Sequence, residues 1–233
     1  MMIKKVTYLS ALIFIQACGG GSGDGETGGG GSVTATQCFP SYLGEVGSKL
    51  DTVSDKTDFQ GTEIINSSQS VQRKITYQGI SDVSEIVDND DANNLAYVKI
   101  NDIEKKLTLL ANKDVEGTSE ILPSGLEINY TIAQGTTLTS ENVTLRSTGS
   151  PDVVADISVT FQGIESISIP AGTFNACRFD ITFSQNGVSR QFDQFWYNVG
   201  NGIELRSTSF SFGVAETEEI RSAILNGNTL EGI

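Results

Sequence analysis

The chain has 233 residues, with 29 acidic against 15 basic side chains and a formal net charge of −14. Such a surface, with no basic stripe to offset it, repels nucleic acid and anionic lipid headgroups, so no nucleic-acid partner is expected. The sequence contains no histidine, which removes Ser-His-Asp and Cys-His nucleophile pairs and the usual zinc and copper sites.

Met1 to Lys5 carries positive charges at Lys4 and Lys5, Val6 to Ile15 is a mostly apolar run, and Ile15-Gln16-Ala17-Cys18 closes it. About twenty apolar residues are needed to span a bilayer, so this run is too short for a permanent helix and has the layout of an export signal. The tract resembles the lipobox of bacterial lipoproteins, with Ile15 aliphatic, Ala17 small and Cys18 in the place of the modified cysteine. The alternative is an ordinary secretory signal cut after Ala17, although Ile15 is bulky for such a site. The resemblance implies a signal peptide at 1–17 and lipidation of Cys18 with a diacylglyceryl group and further acylation, a stable membrane anchor. Gly19 after the cysteine, in place of the aspartate that favours inner-membrane retention, implies the outer membrane, with the leaflet open. Loss of Lys4 and Lys5 would leave 13 basic against 29 acidic residues, a net charge of −16.

From Gly19 to Ser32 the chain reads GGGSGDGETGGGGS, nine glycines without an apolar side chain. Nothing there offsets ordering entropy, so 18–32 is expected to be a lipidated cysteine on a flexible tether, reaching roughly 20 Å. Residues 33–233 form the domain, long enough for one substantial core or two small ones. With Cys18 acylated, Cys38 and Cys177 remain as an even pair. They are either a disulfide, as an exported chain allows, or two buried thiols.

Period-two alternation, the mark of half-buried strands, recurs along the domain. Val71, Ile75 and Tyr77 alternate with Gln72, Lys74 and Thr76; Ala155, Ile157, Val159 and Phe161 alternate with Asp156, Ser158 and Thr160; Cys177, Phe179, Ile181 and Phe183 form another stripe. Asn-Gly pairs at 186–187, 201–202 and 226–227 supply the positive φ angles of tight hairpins. Glu216 to Leu225 reads as a last strand. The fold class read from this pattern is all-β and antiparallel; the strongly curved, barrel-forming sheet is what the resemblance given below implies. Ile75–Ile80 (ITYQGI) reappears as Val159–Ile164 (VTFQGI), and the stretch from Tyr42 loosely matches that from Ile121, which suggests two related halves at about 40–120 and 121–233.

Catalytic signals are sparse. No G-x-S-x-G elbow or serine-lysine placement is present, so no catalytic residue is assigned and a non-enzyme is expected. The acidic loop Asp88 to Asn94 offers oxygen ligands, but Ala92 replaces a calcium ligand, Asn93 stands where glycine is needed and Lys99 occupies the bidentate glutamate position. A solvated loop is expected, with no metal and no cofactor.

Residues 161–206 carry the chain's most specific pattern: Gly163 and Glu165, the Pro170–Phe174 turn PAGTF, then Trp196, Tyr197, Gly200, Gly202, Ile203 and Leu205 as W-Y-x-x-G-x-G-I-x-L. It resembles a signature shared by uncharacterised bacterial envelope proteins and lipoproteins. The resemblance implies open or nearly closed β-barrels akin to the periplasmic lipoprotein-carrier fold. Physically, Pro170 and Gly172 suit a turn, Thr173 and Phe174 restart a strand, and Trp196 and Tyr197 must face opposite ways. These residues either build structure or place their aromatics around a cavity. Two functions follow as expectations. One is a membrane-anchored, non-catalytic binding module for a hydrophobic envelope ligand, held in a cavity above about 300 Å³. The other is a structural or interaction subunit with a filled interior that docks on another envelope protein.

Overall fold

The computed structural model describes residues 33–211 and 214–233, so Cys18, the export signal and the glycine tract lie outside the described residues. Two turns of 3₁₀ helix, Ala35–Cys38 and Ser41–Gly44, come first. Strands follow: β1 Lys49–Asp58, β2 Gly61–Tyr77, β3 Ile80–Asp88, β4 Leu95–Asn101, β5 Lys106–Lys113, β6 Thr118–Leu122, β7 Leu126–Asn129, β8 Thr137–Ser147, β9 Val153–Ile169, β10 Gly172–Gln185, β11 Val188–Asn198, β12 Glu204–Ser211, β13 Val214–Leu225 and β14 Asn228–Thr229. All pairings are antiparallel, and the order β1-β2-β3-β4-β5-β6-β8-β9-β10-β11-β12-β13 closes on itself where Leu50–Asp58 of β1 pairs with Glu216–Leu225 of β13. The expected barrel is therefore a ring, and an uneven one. β5 meets β6 only over Ala111–Lys113, and its earlier half pairs instead with β7.

The alternation seen in the sequence sets the faces. Ile157, Val159 and Phe161 of β9 lie opposite Phe183, Ile181 and Phe179 of β10, and all six join the main core. Asp156, Ser158 and Thr160 face outward, giving a polar exterior there, the reverse of a lipid-facing barrel wall. Among the described residues no helix is long and apolar enough to cross a membrane. The stripe in β2 behaves differently from its expectation. The register with β3 slips between Val71 and Arg73, so Val71 enters the main core while Ile75 and Tyr77 pack outside, against Val83, Tyr97 and Leu110. One extra residue at a bulge turns every later side chain to the other face.

The stretches that suggested two related halves take different local structures. Gln78 and Gly79 make the β2–β3 turn with φ of 51° and 80°, whereas Gln162 and Gly163 lie inside β9. The stretch from Tyr42 forms a 3₁₀ turn where its supposed equivalent at Ile121 is strand, and a cut at 120/121 would divide β6. Short local likenesses are overridden by the pairing of the whole ring. Asn186-Gly187 and Asn226-Gly227 do make two-residue hairpins with all four φ angles positive.

The interior is occupied by the chain's own N-terminal segment. Ala35, Cys38, Phe39 and Leu43 are buried in the main core, making residues 35–43 a plug. Its backbone is tied to the wall: the Gly200 amide donates to the Gln37 carbonyl at 2.7 Å, the Ser84 hydroxyl donates to the Leu43 carbonyl at 2.6 Å, and Gln134 donates to Val33 at 2.9 Å. Cys38 is bonded to Cys177 of β10, with Cα atoms 6.1 Å apart and both side chains wholly buried. The Phe39 ring meets Tyr130 edge-on at 5.4 Å, and Lys105 lies 4.8 Å over its other face.

Gly202 makes this docking sterically feasible. Its φ is 69°, and a Cβ there would lie 2.5 Å from the Cys38 carbonyl oxygen and 2.6 Å from the Pro40 nitrogen. Gly202→Ala is expected to lower unfolding free energy in a urea titration by about 2–3 kcal/mol, from left-handed strain plus displacement of the plug. Gly187→Ala, at φ 73° with open space around it, should cost only about 1 kcal/mol. Equal losses would count against close seating of the plug on that turn. Removing the disulfide by Cys177→Ser should cost about 2–5 kcal/mol in the same assay, because it releases a constraint spanning 139 positions. An unchanged urea midpoint would contradict that role.

Candidate functional site

The structure brings most of the sequence-selected residues between 163 and 205 together, at a corner. A bulge where Gly163 pairs with Arg178 and Phe161 with Phe179 bends the long β9–β10 hairpin. Its end, carrying Pro170-Ala171, then folds over β12 and β13, and the Ala171 amide donates to the Ile220 carbonyl at 3.0 Å. Beneath it lies a second apolar cluster that includes Ile167, Phe174, Trp196, Ile203, Leu205 and Ile220. Trp196 is only 6% exposed; its indole N–H donates to Glu165, and the guanidinium groups of Arg178 and Arg206 each lie 5.4 Å from its ring centroid. Trp196 and Tyr197 do face opposite ways, and both are buried, because the folded hairpin covers the outer face at Trp196. Gly200 and Gly202 hold the plug. Trp196 is packed in the second apolar cluster, and Tyr197 borders a void of about 50 Å³ beside the plug.

A larger compartment lies between the plug and the wall formed by β1 to β5, β12 and β13. This cup has a volume of about 290 Å³ and reaches the surface beside Asp88, Asn94 and Asp114. Tyr42 and Leu43 of the plug line it, so the N-terminal segment sets its depth. Leu50, Ile65, Ile86, Ala96 and Ile220 supply aliphatic surface, while Thr52, Ser67, Gln69 and Asn112 supply polar groups. The lining is thus mixed, although a hydrophobic ligand was the expectation. The reason lies in the strand pairing. Serines and threonines fill the inward positions of β1 and β2, such as Thr52 opposite Ser67, whereas aromatics fill those of β9 to β11, such as Phe161 opposite Phe179 and Phe179 opposite Phe195.

Four carboxylates line the cup: Asp88 and Asp114 at its opening, Glu204 of β12 and Glu218 of β13 on its wall. The Ser54 hydroxyl donates to Glu218, and Ser207 is the hydrogen-bond partner of Glu204. Burial, reinforced by Glu218, pushes the Glu204 carboxyl up to about 8, so it is protonated at neutral pH. Around it stand Tyr42, Tyr130 and Tyr197, each held above its ordinary value first by burial. Tyr130 is wholly buried, and among the described residues its hydroxyl has no hydrogen-bond partner, as is true of both polar atoms of the Asn112 amide. Farther along the interior, burial also raises Asp193 of β11 well above the carboxylate range. Sequence reasoning did not single out Glu204, Glu218 or Tyr42; the one available signal was the acid between two buried aliphatics in Ile203-Glu204-Leu205.

The acidic loop between β3 and β4 uses its carboxylates locally, Asp88 accepting from the Asp90 amide at 2.9 Å and Asp91 from that of Asn93 at 3.0 Å. Among the described residues no group of three or more His, Cys, Asp or Glu side chains is arranged to hold a metal.

Fold and site together define a plugged, closed antiparallel β-barrel with a half-polar internal cup. No protein-family model and no curated protein matches the chain. Solved structures of similar fold include the hypothetical lipoprotein YmcC from Escherichia coli, at 13% identity and a TM-score of 0.41, covering 80% of this chain and 87% of that one. A protein from Parabacteroides distasonis proposed to be a lipoprotein aligns at 15% identity and a TM-score of 0.39, covering 83% and 100%. A β-barrel-like protein of a domain of unknown function from Brucella abortus aligns at 8% and 0.38, covering 80% and 98%. Likenesses this distant do not bear on function.

The raised Glu204 has a definite thermodynamic sign. Between about 4.5 and about 8 the folded chain keeps this proton and the unfolded chain has released it, so stability from this group is full below that window and falls as pH rises through it. Glu204→Gln should remove that slope. Between pH 5 and pH 8 the unchanged protein is expected to lose about 3–4 kcal/mol more in urea titrations than the variant. Parallel curves would show that Glu204 is not buried as a neutral acid.

Proposed function

We propose that the protein is a lipid-anchored bacterial envelope protein whose barrel is a non-catalytic binding module, taking a small amphipathic guest into the cup. The observation that carries this reading is the cup itself: a compartment of about 290 Å³ beside the plug, aliphatic on some walls and hydrogen-bonding on others. Its size is near the lower end for small-molecule sites. A long acyl chain would have to displace the plug, which the Cys38–Cys177 bond opposes. The lipobox-like segment ending at Cys18 supports attachment to the outer membrane, with the barrel held outside the bilayer. No nucleic acid and no cofactor is part of this reading.

A second reading, docking on another envelope protein, rests on the hairpin ends away from the plug. Phe59, Val188, Phe210 and Val214 are 76%, 52%, 46% and 46% exposed on adjoining hairpins of one rim. That rim is a candidate contact surface.

Native mass spectrometry of the full chain, extracted gently from the envelope, separates the two. A discrete added mass lost on unfolding is expected for a binding module; a bare mass, together with crosslinks from the rim to a second envelope protein, would replace it with the docking reading. Cys18→Ala is expected to shift the protein out of the outer-membrane fraction. Unchanged fractionation of that variant would overturn the anchor.

A further inference from the structure

We propose that the open edge of β2 is a strand-addition site, where an extended, non-acidic segment of another envelope protein pairs with Thr62, Ile64 and Asn66 in line with β3. This goes beyond the binding-module reading and does not require a free guest in the cup. β2 pairs with β1 from Gly61 to Ser70 without a register shift, but it meets β3 only from Gln69 onward. Backbone groups of successive residues point to opposite sides of a strand, so one contact fixes the phase of the rest. The Val71 amide donates to the Ser48 carbonyl at 2.9 Å, and its carbonyl accepts from Gly47 at 2.8 Å, both toward the β1 side. Glu63, Ile65 and Ser67 therefore face β1, and the even-numbered residues face the β3 side. The Asn89 amide agrees, donating to the Ser68 carbonyl at 2.6 Å from that side. Past Asn89 the chain turns away into the acidic loop. Among the described residues the N–H and C=O groups of Thr62, Ile64 and Asn66 then have no partner, and all three residues are exposed.

The other one-sided stretch of the ring, β8 before Thr144, is guarded. Its register with β9 slips between Ser140 and Val143, Asn142 takes a φ of 54°, and the Asn142 amide donates to the Asp156 carboxylate at 2.9 Å. A bulge of that kind blunts an edge. Between Gly61 and Ser68, β2 has no bulge, no proline and no lysine. Ile64 is instead 58% exposed, and Phe59 at the adjoining turn is 76% exposed.

A row of unpaired main-chain groups is matched by another strand, whose side chains then supply the specificity. A second copy fits poorly, because it would bring together two chains of net charge −14 with Asp88, Asp90 and Asp91 beside the contact. The chain's own Gly19–Ser32 tract has no apolar side chain to set against Ile64. It also enters the barrel at Val33 and Thr34, held to Gln134 and Ala133 ahead of β8, with β3 to β6 between that point and β2. The partner residue opposite Ile65 shares the face of Ile65, which lines the cup, so its side chain is directed toward the opening beside Asp88, Asn94 and Asp114. Those two carboxylates disfavour an acidic side chain there. The residue opposite Ile64 lies on the outer face and is apolar.

The test uses the full chain in mild detergent and two blocked heptapeptides of alternating threonine and valine. One is plain; the other is N-methylated at its two central amides, one on each edge, which removes donors without changing charge. In calorimetric titration the plain peptide is expected to bind about tenfold or more tighter than the methylated one. Its addition should also slow amide hydrogen exchange in the segment 61–68, read by mass spectrometry. Ile64→Pro is expected to weaken binding about tenfold or more, since it removes a donor on the open side and leaves the bonds of Glu63 and Ile65 to β1. Should that variant fail to fold by circular dichroism, Ile64→Lys must weaken binding likewise. Equal binding of the two peptides, binding that neither variant alters, or no binding of either peptide overturns strand addition and leaves the cup reading untouched. Slow exchange at 61–68 before any peptide is added also overturns it: dependence on protein concentration would assign the edge to a second copy, and independence to the chain's own N-terminal tract.

Discussion

Closure of the strand ring is the constraint on which the rest of the structure depends. Pairing β1 with β13 gives each of the twelve ring strands a neighbour on both sides, although β2 before Gln69 and β8 before Thr144 are paired on one side only. A ring of twelve, however, is wider than the eight-stranded barrels whose inward side chains meet at the axis. The space left in the middle must be filled, hydrated or offered to a guest. In this protein the N-terminal residues fill one part, the aromatics of β9 to β11 fill another, and the cup is what remains. Gly202, Cys38 and Tyr42 all take their roles from that division.

The resemblance noted over residues 161–206 has a physical basis in the corner. Gly163 lies at the bulge that bends the hairpin, Phe174 packs under its end, Trp196 is held by Glu165 between two guanidinium groups, and Ile203 and Leu205 complete the cluster. Gly200 and Gly202 then present backbone to the plug. The pattern therefore encodes how the outer and inner faces of β11 are both covered, and it says little about what occupies the cup.

How much was legible follows from how local each cause is. The inward stripes of β9 and β10 and the hairpins at Asn186-Gly187 and Asn226-Gly227 are determined by neighbours in sequence, and they could be read there. Asn201-Gly202 could not: its Gly202 serves a close approach to Cys38 and Pro40, contacts more than 160 positions away. The plug has no periodicity and reads like a continuation of the linker; only the ring around it makes Ala35 and Phe39 interior residues. The slip at Val71/Arg73 turned Ile75 and Tyr77 outward, a change that alternation alone does not reveal. Glu204 and Glu218 are two acids among 29, distinguished by burial rather than by any motif.

The bond between Cys38 and Cys177 also decides how the barrel would respond to being pulled. Tension arriving along the chain from before Val33 meets Cys38 within a few residues and passes covalently into the middle of β10, between β9 and β11. That route bypasses β1 and the β1–β13 seam, so a tug on the N-terminus loads a central strand in shear instead of peeling the ring open. With the bond reduced, the same tug would draw out the plug first, then act on β1, and change the depth of the cup before any strand separated.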